Sequence, residues 1–173
     1  MADETMLAGA VPEEDGAAEE PGQVLELERF LPYRMNVLSR RISRSLAEIY
    51  QERFGISIPE WRIIAVLGRF APVSSREICD RTQMDKAKVS RSVSSLLAAG
   101  LITRQTNPAD NRLIKLALSK RGRRVYQRIV PLALGWEADL LGALGEDERQ
   151  LLERLLGKLE AKFGAGPVED TDD

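Results

Sequence analysis

Arg91 stands at the centre of a helical face whose residue types point to one kind of chemistry. With a rotation of roughly 100° per residue over positions 85–99, Val89, Val93, Leu96 and Leu97 cluster on one side. Arg91 lies opposite them, flanked by Ala87, Lys88, Ser94, Ser95 and Ala98, with Ser90 beside it. That outer face is small, polar or cationic and carries no carboxylate. A helix enters the ~12 Å major groove of DNA only when its outer face is this slim. There a guanidinium bridges guanine O6 and N7, a serine hydroxyl bonds either base type, and an alanine methyl meets a thymine methyl. Arg91, Ser94 and Ala87 suit these three contacts. Lys86 and Lys88, near the helix start, suit phosphates.

A second group follows in the chain. Asp110, Asn111 and Arg112 sit in a polar turn, where a carboxylate two residues from a guanidinium braces it as a minor-groove cation. Arg104 precedes this turn as a phosphate contact. Lys115, Lys120, Arg121, Arg123, Arg124 and Arg128 add further positive charge.

The charge distribution supports a polyanion partner. The 173 residues carry 25 Lys+Arg, 27 Asp+Glu and no His, a net charge of −2. That small value hides segregation: residues 60–128 hold fifteen bases and five acids, whereas residues 1–28 hold nine acids and no base. A basic middle between acidic ends fits double-stranded DNA.

Other chemistries drop out. Without His there is no imidazole base, His triad or His metal site. One Cys, Cys79, excludes an internal disulfide and a Cys-based zinc site. With no phosphate-cradling glycine loop and no activated-nucleophile signature, the expectation is a non-enzyme without cofactor or metal. No apolar run approaches the ~18–20 residues of a membrane span. The N-terminus has acids where a signal peptide has bases, which points to the cytoplasm.

The elements that position these residues are legible from periodicity and caps. Met35, Leu38, Ile42, Leu46 and Ile49 mark a helix over Leu31–Phe54, stopped by Gly55. Ser57-x-x-Glu60 and Ser74-x-x-Glu77 are capping boxes for a helix to about Arg69 and a short one to about Arg81. Trp61, Ile64, Ala65 and Leu67 face inward on the former, and Ala71-Pro72-Val73 separates the two. A turn over Thr82–Met84 leads to Asp85, the cap of the 85–99 helix, which Gly100 ends. The period then changes to two. Leu101–Gln105 and Leu113–Leu118 read as strands, joined by turn chemistry over Thr106–Arg112. Ser119 caps a long helix to about Leu141 containing Pro131, which is placed to kink it. A last helix spans about Asp147–Phe163 with a leucine stripe. The fold class is mainly α with a small β-wing: a helix-turn-helix followed by a hairpin.

This sequence resembles the MarR-type (multiple antibiotic resistance regulator) winged helix-turn-helix regulators. The matching pieces are Ser57–Leu67, Glu77–Arg81, Val89–Arg104 and Asp110–Gly122, within a pattern over about residues 28–163. The resemblance implies a sequence-specific DNA-binding transcriptional regulator, a homodimer whose first and last helices interlock as a stem. Its recognition helices would read a pseudo-palindrome, with half-sites about 34–36 Å apart. Many family members have Arg where Asn111 stands, which leaves the minor-groove role to Arg112. Residues 1–22 and 164–173 read as disordered acidic tails, 23–56 and 121–163 as dimerisation helices, and 57–120 as the DNA-binding lobe.

The resemblance also implies a repressor released by a small aromatic ligand, an aromatic acid or its CoA thioester. By position between stem and lobe, Met35, Ser39, Arg40, Ser43, Trp61 and Ile64 would line its site. Arg40 would pair the acid group and Trp61 would stack on the ring. The alternatives are a regulator without an effector, or one that senses oxidants through Cys79. The position of Cys79 next to Ile78 favours a buried small residue.

Overall fold

The computed structural model describes residues 24–107 and 110–163, with the side chains of 106–113 outside the description. The chain divides into two compact units, Met1–Val37 and Leu38–Asp173. The described part of the first holds a 3-10 turn, Leu27–Arg29, and the start of the helix α1 (Leu31–Phe54). The second holds the rest of α1 and, in chain order, α2 (Ile58–Phe70), α3 (Ser75–Thr82), α4 (Lys86–Ala98), β1 (Ile102–Asn107), β2 (Asp110–Leu118), α5 (Lys120–Leu141) and α6 (Glu146–Phe163).

Local chemistry accounts for most of these ends. At the start of α2, Glu60 Oε2 accepts from the Ser57 N–H at 2.8 Å and from Ser57 Oγ at 2.7 Å. At α3 the box closes in both directions: Glu77 Oε2 accepts from the Ser74 N–H at 2.7 Å, and the Glu77 N–H donates to Ser74 Oγ at 3.2 Å. Such a cap is worth about 1 kcal/mol. Ser119 Oγ accepts from the Gly122 N–H at 2.9 Å and opens α5, which runs unbroken through Pro131.

The core of the second unit gathers one face of each lobe helix. Ile63, Ile64 and Leu67 of α2, Ile78 of α3, Val89, Val93 and Leu96 of α4, and Ile129 of α5 are buried with Tyr50, Ile56 and Leu116. Burying each such aliphatic side chain contributes about 1.5–3 kcal/mol. Gly122 is the contact point between α5 and the hairpin. A Cβ there would collide with the Leu101 carbonyl, so only glycine lets the helix pass this close.

The hairpin is longer than its sequence indicates. β1 and β2 pair antiparallel from Ile102↔Leu118 to Thr106↔Ile114, then shift register and close at Asn107↔Asp110. The polar stretch read as a loop over Thr106–Arg112 is therefore largely strand. Backbone pairing continues there because a ladder satisfies N–H and C=O groups whatever the side chains prefer. Val73 adds a third short segment. Its N–H donates to the Leu116 carbonyl at 3.1 Å and its carbonyl accepts from the Leu116 N–H at 2.7 Å.

One apolar stripe and one further leucine stay uncovered. On α6, Leu151, Leu152, Leu155, Leu156 and Leu159 are each between 38 and 47% exposed, and no residue of that helix is buried. Leu38 of α1 is 57% exposed in its own unit, although Ala47 and Tyr50 further along are buried.

Candidate nucleic-acid interface

The chain between α3 and α4 reverses through one left-handed residue. Gln83 adopts φ 55° and its N–H donates to the Cys79 carbonyl at 2.8 Å. Asp85 then caps α4, its Oδ1 accepting from the Lys88 N–H at 2.6 Å. That hydrogen bond, with the Lys88 ammonium at 3.5 Å, holds the Asp85 carboxyl below its ordinary range. Asp85 thereby stays ionised at the helix N-terminus, where its charge opposes the dipole.

This cap fixes which face of α4 turns outward. Val89, Ser92, Val93 and Leu96 are buried against the core, with Leu97 packed beside them. Lys86, Ala87, Ser90, Arg91, Ser94 and Ala98 are exposed, and Lys88 is partly exposed. Arg91 makes no hydrogen bond or ion pair among the described residues. The outward face is thus the small, cationic one expected of it.

Beside that face runs a cleft of about 520 Å³, lined by Ser75, Arg76, Cys79, Lys86, Ser90, Ser94 and Arg104. It brings Arg104 of β1 to the same side of the lobe as the α4 face. Arg76 joins them and was not singled out from sequence. Its one local signal is its place in the first turn of α3, two residues after the Ser74 cap.

The hairpin is fastened to α3. Lys115 Nζ lies 2.8 Å from Glu77 Oε2. Lys115 and the Ser74 donors hold the Glu77 carboxyl down at about 2. Lys115 is therefore engaged within the lobe rather than turned to a partner.

The other expected residues divide between the surface and the interior of the lobe. Ser95 is exposed on α4 and lies near the Glu60 carboxylate of α2. Burial works against the Glu60 carboxylate, yet Ser95 and the hydrogen bonds from Ser57 hold it below its usual range. Arg121 Nη1 donates to the Ala99 carbonyl at 3.0 Å. Asp110, Asn111 and Arg112 have side chains outside the described residues.

The residues expected around an effector do not share one environment. Ile64 is fully buried in the core. Trp61 is half-buried between Tyr50, at 5.7 Å between ring centroids, and Tyr126, at 6.3 Å. In the second unit Ser39 and Arg40 are exposed and Ser43 is half-buried, and in the first Met35 is exposed. None of the six lines the cleft beside α4. Helical phase puts Ile64 inward, and in this chain its inward side packs against the hydrocarbon core.

Cys79 is half-buried rather than fully buried and forms part of the cleft wall. Burial pushes its thiol up, and Asp80 adds to the shift. The protonated form dominates at neutral pH, which disfavours thiolate chemistry.

The helix-turn-helix, its exposed α4 face and the two-stranded wing coincide with a known family. The model of the MarR family matches residues 54–113. The HTH-type transcriptional regulator BilQ of Clostridium symbiosum is 30% identical over 108 residues, 62% of this chain and 75% of that protein. The structure of a MarR/EmrR family transcriptional regulator from Acinetobacter sp. ADP1 superposes with a TM-score of 0.73 at 31% identity, covering 80% of this chain and 98% of that one. The chain belongs to the MarR family.

It is a DNA-binding transcriptional regulator of that family. Two more distant structures share the fold: a variant of E. coli MarR complexed with operator DNA, at TM-score 0.70, 21% identity and coverage of 79% and 99%, and Bordetella bronchiseptica BpsR, whose DNA binding is regulated by 6-hydroxynicotinic acid, at TM-score 0.70, 20% identity and coverage of 79% and 97%. Among the described residues, no helix of this MarR-family chain is long and apolar enough to cross a membrane, and no group of three or more Cys, Asp and Glu is placed to hold a metal ion.

Proposed function

We propose that this chain is one protomer of a homodimeric repressor that reads a pseudo-palindromic operator and leaves it when a small aromatic acid or its CoA thioester binds. The exposed α4 face carries the reading. Arg91, Ser90, Ser94 and Ala87 take base edges in the major groove, while Lys86, Lys88, Arg76 and Arg104 take phosphates. The wing residues Asp110, Asn111 and Arg112 take the adjacent minor groove, with Arg112 as the inserted cation.

Dimerisation is supported by the leucine stripe of α6, which no described residue of its own chain buries. Residues 23–56 and 121–163 form the stem in this reading, and 57–120 form the DNA-binding lobe. The ligand class is supported by BpsR, whose fold this chain shares and whose DNA binding responds to an aromatic acid. No chemical step is part of the function, and the protein acts in the cytoplasm.

Fluorescence anisotropy on the DNA upstream of the protein's own gene, beside a scrambled duplex, tests the reading. Selective binding of two chains per duplex is the expected result. Equal affinity for both duplexes would overturn sequence-specific recognition.

A further inference from the structure

Three successive backbone carbonyls at the end of α4 accept hydrogen bonds from the start of α5. Ser119 Oγ donates to the Gly100 carbonyl at 2.7 Å, and the Ser119 N–H donates to the Leu101 carbonyl at 3.0 Å. Arg121 Nη1 donates to the Ala99 carbonyl at 3.0 Å. The bonds of a helix C-cap run beside them: the Gly100 N–H goes to the Leu97 carbonyl and the Leu101 N–H to the Leu96 carbonyl. Gly122 packs against the same Leu101 carbonyl, so the two helices meet in one joint.

Of the two residues that donate at this joint, Arg121 is the one without a second task. Ser119 Oγ also caps α5 by accepting from the Gly122 N–H. Arg121 is exposed, and its guanidinium makes no other hydrogen bond or ion pair among the described residues. α4 has no basic residue in its own last turn. The Arg121 guanidinium supplies from α5 the positive charge that the end of the α4 dipole favours.

The joint decides how α4 is held. On its inner side α4 rests on the core through Val89, Val93 and Leu96, and such apolar contacts are non-directional. At its start, Asp85 bonds to Lys88 within the helix's own first turn, so that cap travels with the helix. The joint at the end ties it to another helix. Ala99 lies eight residues beyond Arg91, about 12 Å along the axis at roughly 1.5 Å per residue. A tilt of about 5° at the joint therefore carries Arg91 about 1 Å sideways. A bidentate guanidinium contact to a base edge has a fixed fork and is lost by such a shift, whereas a lysine ammonium on a phosphate follows it.

We propose that Arg121 is a positioning residue for base reading: by holding the Ala99 carbonyl it sets the angle at which α4 presents Arg91, and it does not touch DNA itself. The role rests on the reading of α4 as the recognition helix.

Arg121→Met removes the donor and the charge and keeps the length of the side chain. The lost bond is exposed, so the variant keeps its melting temperature. Anisotropy is read on the operator and on a scrambled duplex over a series of salt concentrations. Affinity for the operator is expected to fall about three- to tenfold, with less than about a twofold change on scrambled DNA and an unchanged salt slope. Arg121→Lys, which keeps a charged donor, recovers most of the loss. Arg123→Met removes an exposed neighbouring charge and keeps the ratio between the two duplexes. An equal loss on both duplexes in Arg121→Met, with a salt slope reduced by about one, would make Arg121 a phosphate contact and overturn the positioning role. An unchanged ratio in Arg121→Met, or a loss in Arg121→Lys as large as in Arg121→Met, would also overturn it. Hydrogen exchange reads the joint without DNA: in Arg121→Met the Ala99, Gly100 and Leu101 amides exchange faster and the Val89 amide does not. Unchanged exchange at those three amides contradicts the joint. A wild type that binds both duplexes equally overturns the regulator reading and with it the role in base reading, and the exchange then tells separately whether Arg121 holds the end of α4.

Discussion

Lys115 Nζ of β2 lies 2.8 Å from Glu77 Oε2 of α3, and the same carboxylate oxygen accepts from the Ser74 N–H at 2.7 Å. One carboxylate thus caps the helix before the turn and fastens the wing to it. The orientation of the hairpin relative to α4 depends on this shared group. Glu77→Gln is expected to cost a few tenths to about 1 kcal/mol at neutral pH, because cap and ion pair are both half-exposed. The sign with pH follows from a lowered carboxyl. The stabilisation is complete above the ordinary value of 4.5 and disappears as pH falls to about 2. Urea midpoints of wild type and variant therefore converge over that interval, and a difference independent of pH contradicts the assignment.

Gly122 and Gly100 are constrained for different reasons. A Cβ at Gly122 meets the Leu101 carbonyl, a backbone group that cannot turn aside. Gly100 has open space but a φ of +66°. Gly122→Ala is expected to destabilise by about 1–3 kcal/mol, and Gly100→Ala by about 1 kcal/mol. Chemical denaturation of the two variants checks the order.

The leucines of α6 give the dimer its test. Leu155 is 47% exposed within its own chain, so Leu155→Asp costs an isolated chain little. In the proposed stem it places a carboxylate in an apolar contact. Sedimentation is expected to give twice the chain mass for the wild type at micromolar concentration and a shift towards a single chain for the variant. A wild type that sediments as one chain contradicts the stem.

Cys79 is expected to react slowly. Its thiol is raised above the ordinary value of 9.0 by burial and by Asp80. Alkylation by iodoacetamide at pH 7 should be slower than that of a free thiol and should reach half its limiting rate above pH 9. Fast alkylation at pH 7 would revive the oxidant-sensing alternative.

The sequence reveals the parts of this molecule that depend on near neighbours. The boxes Ser57–Glu60 and Ser74–Glu77, the Asp85 cap and the outward face of α4 each arise from residues three or four apart, so composition and phase suffice. Distant encounters are not legible in this way. Val73 pairs with Leu116 across forty-three residues, and Arg128 of α5 rests over the Phe54 ring of α1 only because the fold brings them together. Ile64 and Trp61 show the same limit from the other side. Helical phase places both inward, yet it does not distinguish packed core from ligand pocket. Lys115 adds to the positive charge of the sequence, but its ammonium goes to Glu77 of α3, thirty-eight residues away, which only tertiary structure brings near.

The central claim is that the α4 face reads base sequence, and Arg91→Ala measures it most directly. Anisotropy is compared for wild type and variant on the operator and on a scrambled duplex at about 150 mM salt. The account predicts a loss of about 1–3 kcal/mol on the operator, relaxed preference at one base pair per half-site, and little change on scrambled DNA. An equal loss on both duplexes would make Arg91 a phosphate contact and contradict base reading by this face.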